Sequence, residues 1–559
     1  MSRLDWLLFA AFLTYIIWDG VRRSRQAKGA EDYFLAGRAM PWWAMGLSIM
    51  ATQASAITMI GTTGKGWEDG LRFLQFYFAL PLAMIILCFT LVPLFHRLKV
   101  YTAYEYLGQR FDRKTRLLAA LLFLILRGLS VGIVIYAPSV VLASLFGRPV
   151  QEMIGVMGFC ALLYTALGGL RAVISTDVKQ ITVMFLGLVA TVVIILHRLP
   201  SGVDFSGAMV LAREAGHLQA VDLRWDPSEK YTLWSSLLGG LFLFLAYFGS
   251  DQSQVQRFLS GKSLRHKQAA LLFSGLLKVP FQLLVLICGI LLFVFFLFQT
   301  PPASFAPQEL SSLKTLEGGP QLIADHHRSY ALAQAEAQGL LSAHRAGDQA
   351  SFMRAAIRYR ASLQHCREVR RSTRSFLEKS GSVVKDEVNY AFPFFILNVM
   401  PVGLVGLLIA AIFAAALSSI DSELNAMATV TVMDGYVYAF GGSAESPSIL
   451  WVSRLATVFW GILATLFAIF FAHWAEFGSV IEAVNEIGSY FYGSLLGVFV
   501  LATLVPQANG HGAFWGLLTG MLSVWLLGSY TEIAWLYLNT VGTGVVVAVG
   551  VLVAWQWPQ

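Results

Sequence analysis

Apolar residues run along this chain in long unbroken stretches, without the two-residue alternation of a half-buried strand. Thirteen stretches stand out, near 5–22, 41–61, 73–95, 117–146, 150–169, 175–197, 233–255, 269–298, 400–433, 450–472, 481–505, 512–529 and 534–555. Each approaches the ~20 residues a helix needs to cross a bilayer core. Each is apolar on every side, which fits membrane helices and not barrel strands. The first stretch is longer than the apolar part of a signal peptide and has no small-residue cleavage site before Arg22, so it reads as a retained helix. Residues 300–389 break the pattern. They are polar, hold four histidines, and carry helical runs around Ala333, Ala335 and Ala337 and from Ala350 to Leu363. This insert reads as a capping helical hairpin, with ligand capture or partner binding as the sharper alternative. The pair His326-His327 is a poor metal site, because adjacent residues do not share a helix face.

Composition narrows the class. Of 559 residues, 57% are hydrophobic and only 13% charged, with a mean hydropathy of +0.64. A soluble domain carries roughly 25% charge, so a disordered chain, a coiled coil and an ordinary soluble enzyme are excluded. Four scattered cysteines give neither a disulfide frame nor a zinc site. Lys and Arg number 18 in one set of short loops (22–39, 96–116, 170–179, 257–267, 434–454) and 8 in the other (1–4, 62–73, 147–150, 197–233). Positive loops stay in the cytoplasm, which predicts an outside N-terminus, a cytoplasmic C-terminus and an extracytoplasmic insert. The compact tails give the expectation of a plasma membrane of the bacterial inner-membrane kind. The net charge of +7 follows from this bias and needs no nucleic-acid partner.

Polar side chains inside apolar stretches are expensive and default to function. The second stretch strings together Ser48, Thr52, Gln53, Ser55 and Thr58 among small residues. That suits a helix which unwinds in mid-membrane and offers carbonyls to a cation, or a small-residue packing face. In Ala414-Ala-Ala-Leu-Ser-Ser-Ile-Asp-Ser-Glu-Leu-Asn425, Ser418, Asp421 and Ser422 share one helix face. Hydroxyls with a carboxylate are hard ligands for a hard cation such as Na⁺. Asp177 reads either as a helix-start charge or as a second cation ligand. Arg127 and Lys278 interrupt long apolar runs, either paired with carboxylates or holding a polar or anionic solute. Gly261-Lys262-Ser263 lacks the earlier glycine of a phosphate loop. With no nucleotide fingerprint, nucleophile–base pair or metal motif, the reading is a transporter driven by a gradient and not an enzyme.

Several segments together resemble the sodium/solute symporter family, which includes sodium/sugar, proline, sialate, iodide and monocarboxylate transporters. They are Tyr33-Phe-Leu-Ala-Gly-Arg38 with Pro41-Trp-Trp43, Thr102-Ala-Tyr-Glu-Tyr-Leu107, Gly168-Gly169 to Asp177, Gln256-Arg257 with Lys262-Ser263, and Ala415 to Ser422 with Asp434. The resemblance implies an all-α, polytopic, five-plus-five inverted-repeat fold of about 13 transmembrane helices. Its parts would be an extra N-terminal helix (1–25), repeats at 40–197 and 233–505 with the 300–389 insert inside the second, and a C-terminal helix pair (511–556). It implies a main sodium site from the carbonyls of Ala51, Ala54 and Ala415 and the hydroxyls of Ser418 and Ser419. A possible second sodium site maps to Asp177, Ser418, Asp421 and Ser422; a carboxylate at Asp421 departs from the two-sodium pattern and could tighten the site or take a proton instead.

By the same carry-over the solute site involves Gln53, Ser55, Thr58, Phe73 and Tyr77. Tyr247 and Phe248 match the aromatic inner gate, Lys278 matches a sugar-touching lysine, and Asn485 stands where the sugar branch has a glutamine. Gly132-Ile-Val-Ile-Tyr-Ala-Pro138 instead resembles the iodide and monocarboxylate branch, which adds Tyr136; Arg127, about two and a half turns earlier in the same helix, suits a carboxylate but need not touch the same small solute as Tyr136. The resulting expectation is a sodium-coupled symporter importing a small polar solute, a small carboxylate foremost. The alternatives are a sugar, polyol or sialate symporter and, from another class, a membrane solute sensor. Na⁺ is the expected coupling ion, without an organic cofactor. The expected partners are a small-molecule solute and the lipid bilayer, with the protein a monomer or weak homo-oligomer.

Overall fold

Helices account for the ordered chain because intrachain hydrogen bonds are the way an apolar segment satisfies its backbone in lipid. In the computed structural model, residues 2–24, 29–381, 387–446, 448–474 and 480–557 are described. Met1 and Arg25, at the ends of the expected first segment, 382–386 in the insert, and 475–479 in the expected second repeat lie outside the described residues.

The first helix, α1, spans Arg3–Ser24. It is followed by α2 (Trp42–Gln53), a π-turn (Thr58–Thr62) and α3 (Thr63–Asp69). Then come α4 (Leu80–Phe89), α5 (Leu91–Leu98) and α6 (Arg113–Phe146), whose first turn is capped by the Asp112 carboxylate accepting from the Thr115 N–H at 2.8 Å. The long α7 (Val150–Arg198) bends at Gly169, with φ +63° and ψ 169°. Only glycine tolerates that conformation, so one continuous apolar run makes two spans.

Beyond it lie α8 (Leu241–Gly249), α9 (Gln252–Leu259) and α10 (Leu264–Phe298). The insert contributes α11 (Gly319–Ala346) and α12 (Gln349–Lys379). The chain closes with α13 (Leu404–Val430), α14 (Ile449–Trp474), α15 (Val480–Leu504), α16 (Gly510–Tyr530) and α17 (Trp535–Gln556).

Among the described residues, nine helical stretches are long and apolar enough to cross a membrane. Two of the remaining four expected spans are shorter helices, Val150–Leu162 and Ser235–Gly249, and α1 is a third helix of 22 residues. The fourth, 41–61, is cut by the end of α2 at Gln53. The 233–255 span is cut likewise, at Ser250 between α8 and α9. These two interruptions are where polar backbone becomes available inside the apolar bundle.

The centre of the bundle is α13, where 89% of the most apolar window is buried. It packs on α1, α2, α6, α7 and α14. In the insert, α11 and α12 pair as a hairpin turned at Gly347, φ +69°. Their shared face buries Ala333, Ala337 and Leu340 against Ala355, Tyr359 and Leu363. Arg360 bonds Glu214 on the helix Phe205–Glu214, and Arg370 pairs with Glu387 at 2.7 Å, which fastens the hairpin to one end of the bundle.

Candidate functional site

The last four carbonyls of any helix lack a partner within it, and α2 ends inside the bundle. Ala54 leaves helical geometry at φ −91°, ψ 59°. Side chains take up what the helix abandons. The Thr58 hydroxyl donates to the Gln53 carbonyl at 2.7 Å, and the Lys278 ammonium reaches the same oxygen at 3.4 Å. Ser419 on α13 lies 3.4 Å from the Thr52 carbonyl and 3.3 Å from that of Ala415. One hydroxyl proton thus faces two carbonyls, both beyond the usual O–H···O length. Several oxygens converging with few protons between them is the donor set a hard cation takes. Ala51, Ala54, Ala415, Ser418 and Ser419 are all buried around this junction.

The second interruption organises a charge cluster. Asp251 caps α9, accepting from the Ser253 N–H at 2.9 Å. Its other oxygen receives Arg127 of α6, with Nε at 2.7 Å. Arg127 also donates to Glu423 of α13 at 2.8 Å and to the Tyr492 hydroxyl of α15 at 2.6 Å, and its guanidinium lies 5.3 Å from the Tyr247 ring centroid. The reading of Arg127 as a cation awaiting a solute therefore changes: two carboxylates already compensate it. Asp251, Glu423 and Tyr492 were not singled out from the sequence. Glu423 carried the signal, as an ionisable residue in the middle of an apolar helix.

A third cluster surrounds Asp177. Ser48 and Ser418 both donate to its carboxylate. Arg257, fully buried, lies 3.7 Å from the same group. Its guanidinium also donates to Ser48 at 3.0 Å and to Ser422. Asp421 faces away from this set, toward the Thr165 hydroxyl of α7. The four residues expected to form a second ion site are thus divided: Asp177, Ser418 and Ser422 gather around Arg257, and Asp421 joins Thr165.

Between the first two clusters is a cavity of about 100 Å³. Thr52, Gln53, Ser55 and Thr58 line it from the α2 break, and Ser419 from α13. Tyr77, Arg127, Tyr247 and Asn485 complete the expected part of its wall, with Glu423 and Tyr492 added by the structure. Phe73, Tyr136, Phe248 and Lys278 do not line it. Phe73 and Phe248 stand one layer back, edge-on to Tyr77 and Tyr247 respectively. Lys278 is directly behind the wall: besides Gln53 it lies 5.5 Å from the Tyr77 ring centroid. Among the described residues it has no carboxylate at ion-pair distance. At the insert-bearing end, Lys65 of α3 bridges to Glu482 of α15 at 3.2 Å.

The sequence model of the Sodium:solute symporter family matches residues 33–319 and 378–520. The chain belongs to this family. Human sodium-coupled monocarboxylate transporter 2 is 26% identical over 531 residues, covering 93% of this symporter and 72% of that protein. The sodium-dependent multivitamin transporter of Oryctolagus cuniculus is 27% identical, covering 94% and 70%. The human sodium/iodide cotransporter is 27% identical, covering 91% and 67%. Among solved structures, a Na⁺-coupled sialic acid symporter in a substrate-bound, outward-open state superposes with a TM-score of 0.77 at 24% identity, covering 100% of this chain and 98% of that one. The fold is accordingly the five-plus-five inverted-repeat arrangement with an extra N-terminal helix and two extra C-terminal helices. Family and fold together support sodium-coupled transport by a multi-pass membrane protein.

Proposed function

We propose that this symporter imports a small organic monocarboxylate together with one sodium ion, by alternating access. The observation that carries the substrate class is Lys278, a buried cation behind the cavity wall with no carboxylate beside it among the described residues. The charges in and just behind the wall then balance: Arg127 and Lys278 against Asp251 and Glu423. A monocarboxylate entering with one Na⁺ adds no net charge, whereas Na⁺ with a neutral solute leaves one uncompensated charge in a low-dielectric site, at a cost of several kcal/mol. The cavity, about 100 Å³, holds several times the ~10–15 Å³ that one water requires but falls well below the ~300 Å³ at which drug-sized ligands begin. A lactate-sized solute suits it better than a sugar or a sialate. Relatives named for monocarboxylates and iodide point to the same charge class.

The sodium ion binds at the carbonyls of Ala51, Ala54 and Ala415 with Ser418 and Ser419, between the α2 break and α13. A second ion at Asp177 is disfavoured because the Arg257 guanidinium already neutralises that carboxylate. The repeats occupy 40–197 and 233–505. The N-terminus and the insert face outside, and the C-terminus faces the cytoplasm. Sodium fixes the broken helix against α13, which forms the solute site, so each ligand raises the other's affinity. Lys65–Glu482 closes the outer side.

Uptake into proteoliposomes tests this. With an inward sodium gradient, lactate or propionate accumulates and glucose does not, and an imposed membrane potential leaves the rate unchanged because one Na⁺ and one monoanion cancel. A tenfold sodium gradient, worth about 1.4 kcal/mol, then supports roughly tenfold accumulation. Glucose uptake in place of carboxylate uptake overturns the substrate class. Strong stimulation by an inside-negative potential overturns the one-ion stoichiometry.

A further inference from the structure

An opening larger than the transport cavity lies elsewhere in the molecule. About 510 Å³ lies between the insert, the α3 end and the α10 end. Its floor is aromatic: Trp67, Phe293, Phe296 and Tyr330. One wall is the face of α12 that carries Arg367, Arg370, Arg371 and Arg374, spaced i, i+3, i+4, i+7 along one side of the helix.

The ion pairing of this opening is uneven. Arg370 is the structural member. It pairs with Glu387 at 2.7 Å, donates to the Tyr330 hydroxyl at 3.2 Å, and lies 5.3 Å from the ring centroids of both Trp67 and Phe305. Arg374 pairs with Glu378 along its own helix. Glu68 and Asp69, the acids on the α3 side, share Lys65, and Glu309 receives the Ser304 hydroxyl at 2.7 Å. Arg367 and Arg371 make no ion pair among the described residues. They stand one helical turn apart above an aromatic floor. Two guanidinium forks at that spacing match the two oxygens of a carboxylate, and the floor matches an apolar body.

We infer that this opening is a second ligand site, separate from the transport cavity, which binds an organic carboxylate with an apolar body through Arg367 and Arg371. Its size falls within the ~300–1,000 Å³ of small-molecule pockets, about five times that of the transport cavity. The site does not depend on the identity of the transported solute. It also gives the hairpin a role beyond capping.

Radiolabelled benzoate is the probe, measured by equilibrium binding to the purified full-length protein in potassium buffer without sodium, so that sodium-coupled binding is silent. Wild type binds benzoate saturably, and neutral benzamide does not compete. Arg367→Gln with Arg371→Gln weakens binding at least tenfold, whereas Ser419→Ala leaves it unchanged. Both arginines are exposed on the helix surface, and an unchanged melting temperature verifies that the double variant is folded. If the double variant proves unstable, Arg371→Gln alone gives the same reading with a smaller loss. Absence of saturable binding in potassium, equal competition by benzamide, or full retention of binding by the folded double variant overturns the proposal.

Discussion

Ser419→Ala is the sharpest probe of the cation site. The hydroxyl is buried, at 1% exposure, and its two neighbours, the carbonyls of Thr52 and Ala415, lie at 3.4 and 3.3 Å. Contacts that long are weak hydrogen bonds, so the folded protein loses less than about 1 kcal/mol when they go. A bound sodium ion changes the accounting, because the hydroxyl oxygen then faces a full charge. Polar contacts with charged groups contribute about 1.5–3 kcal/mol, which is roughly 10- to 150-fold in affinity at 1.4 kcal/mol per factor of ten. Ser419→Ala should therefore raise the sodium concentration for half-maximal uptake by that factor. The maximal rate at saturating sodium and the melting temperature in potassium should change little. Ser419→Thr keeps the oxygen and should remain near wild type. The assay is initial carboxylate uptake against external sodium in proteoliposomes, with sodium-dependent melting of the purified protein as a second measurement. An unchanged half-saturating sodium concentration in folded Ser419→Ala would refute the site.

Three further outcomes are expected. Arg127→Met leaves Asp251 and Glu423 without their cation and should lower stability by about 3–5 kcal/mol; a variant that melts like wild type and loses only solute affinity would return Arg127 to direct solute binding. Arg257→Met uncovers Asp177 beside Ser48 and Ser418, so its melting temperature should respond to sodium over potassium more than wild type does, and an equal response would show that Asp177 takes no ion even when unpaired. In the insert, burial, aided by the Arg370 charge, lowers His326 from an ordinary 6.5 to about 3. The unfolded chain then takes up a proton below pH 6.5 that the folded hairpin refuses, so stability is lost as pH falls through that window, by about 2 kcal/mol at pH 5. Limited proteolysis of the hairpin should speed up between pH 7 and pH 5, and His326→Gln should flatten that dependence.

The apolar runs made the spans legible because lipid imposes one length and one polarity on each helix. The α2 break was legible as well, since Ser48, Thr52, Gln53, Ser55 and Thr58 have no reason to cluster on a helix that faces lipid. Side-chain pairing was not. Arg127 meets Asp251 across 124 positions and Glu423 across 296, and no local pattern announces either meeting. The sequence offered two explanations for a buried arginine, a carboxylate neighbour or an anionic solute, and only packing could choose between them. Arg257 was visible as part of a motif, but its place at Asp177 depends on α9 reaching α2 and α13 after the helix break at Ser250. The opening under the insert was invisible for another reason: its arginines look like any solvated helix face until the aromatic floor is set opposite them.

The placement of charge bears on how such a bundle can move. Rocking is costly if it drags a lone charge through a low-dielectric interior, and cheap if charges travel as neutral groups. Here Arg127 is held with Asp251, Glu423 and Tyr492 by four different elements, α6, the α8–α9 break, α13 and α15. Arg257 and Asp177 form a neutral pair joining α9 to α7, with serines of α2 and α13 between them. Both clusters sit where mobile and fixed parts of a rocking bundle would have to stay in register. The proposed sodium junction differs: it joins the end of α2 to α13 through long contacts from a single hydroxyl, which part at little cost. On the proposed function, an ion filling that junction makes the contact strong, and its departure makes it weak. The solute inherits this dependence, because Thr52 and Gln53 belong both to the broken helix and to the cavity wall. Coupling on this proposal needs no long pathway: the same few carbonyls that sodium would draw together hold the wall against which the solute would bind.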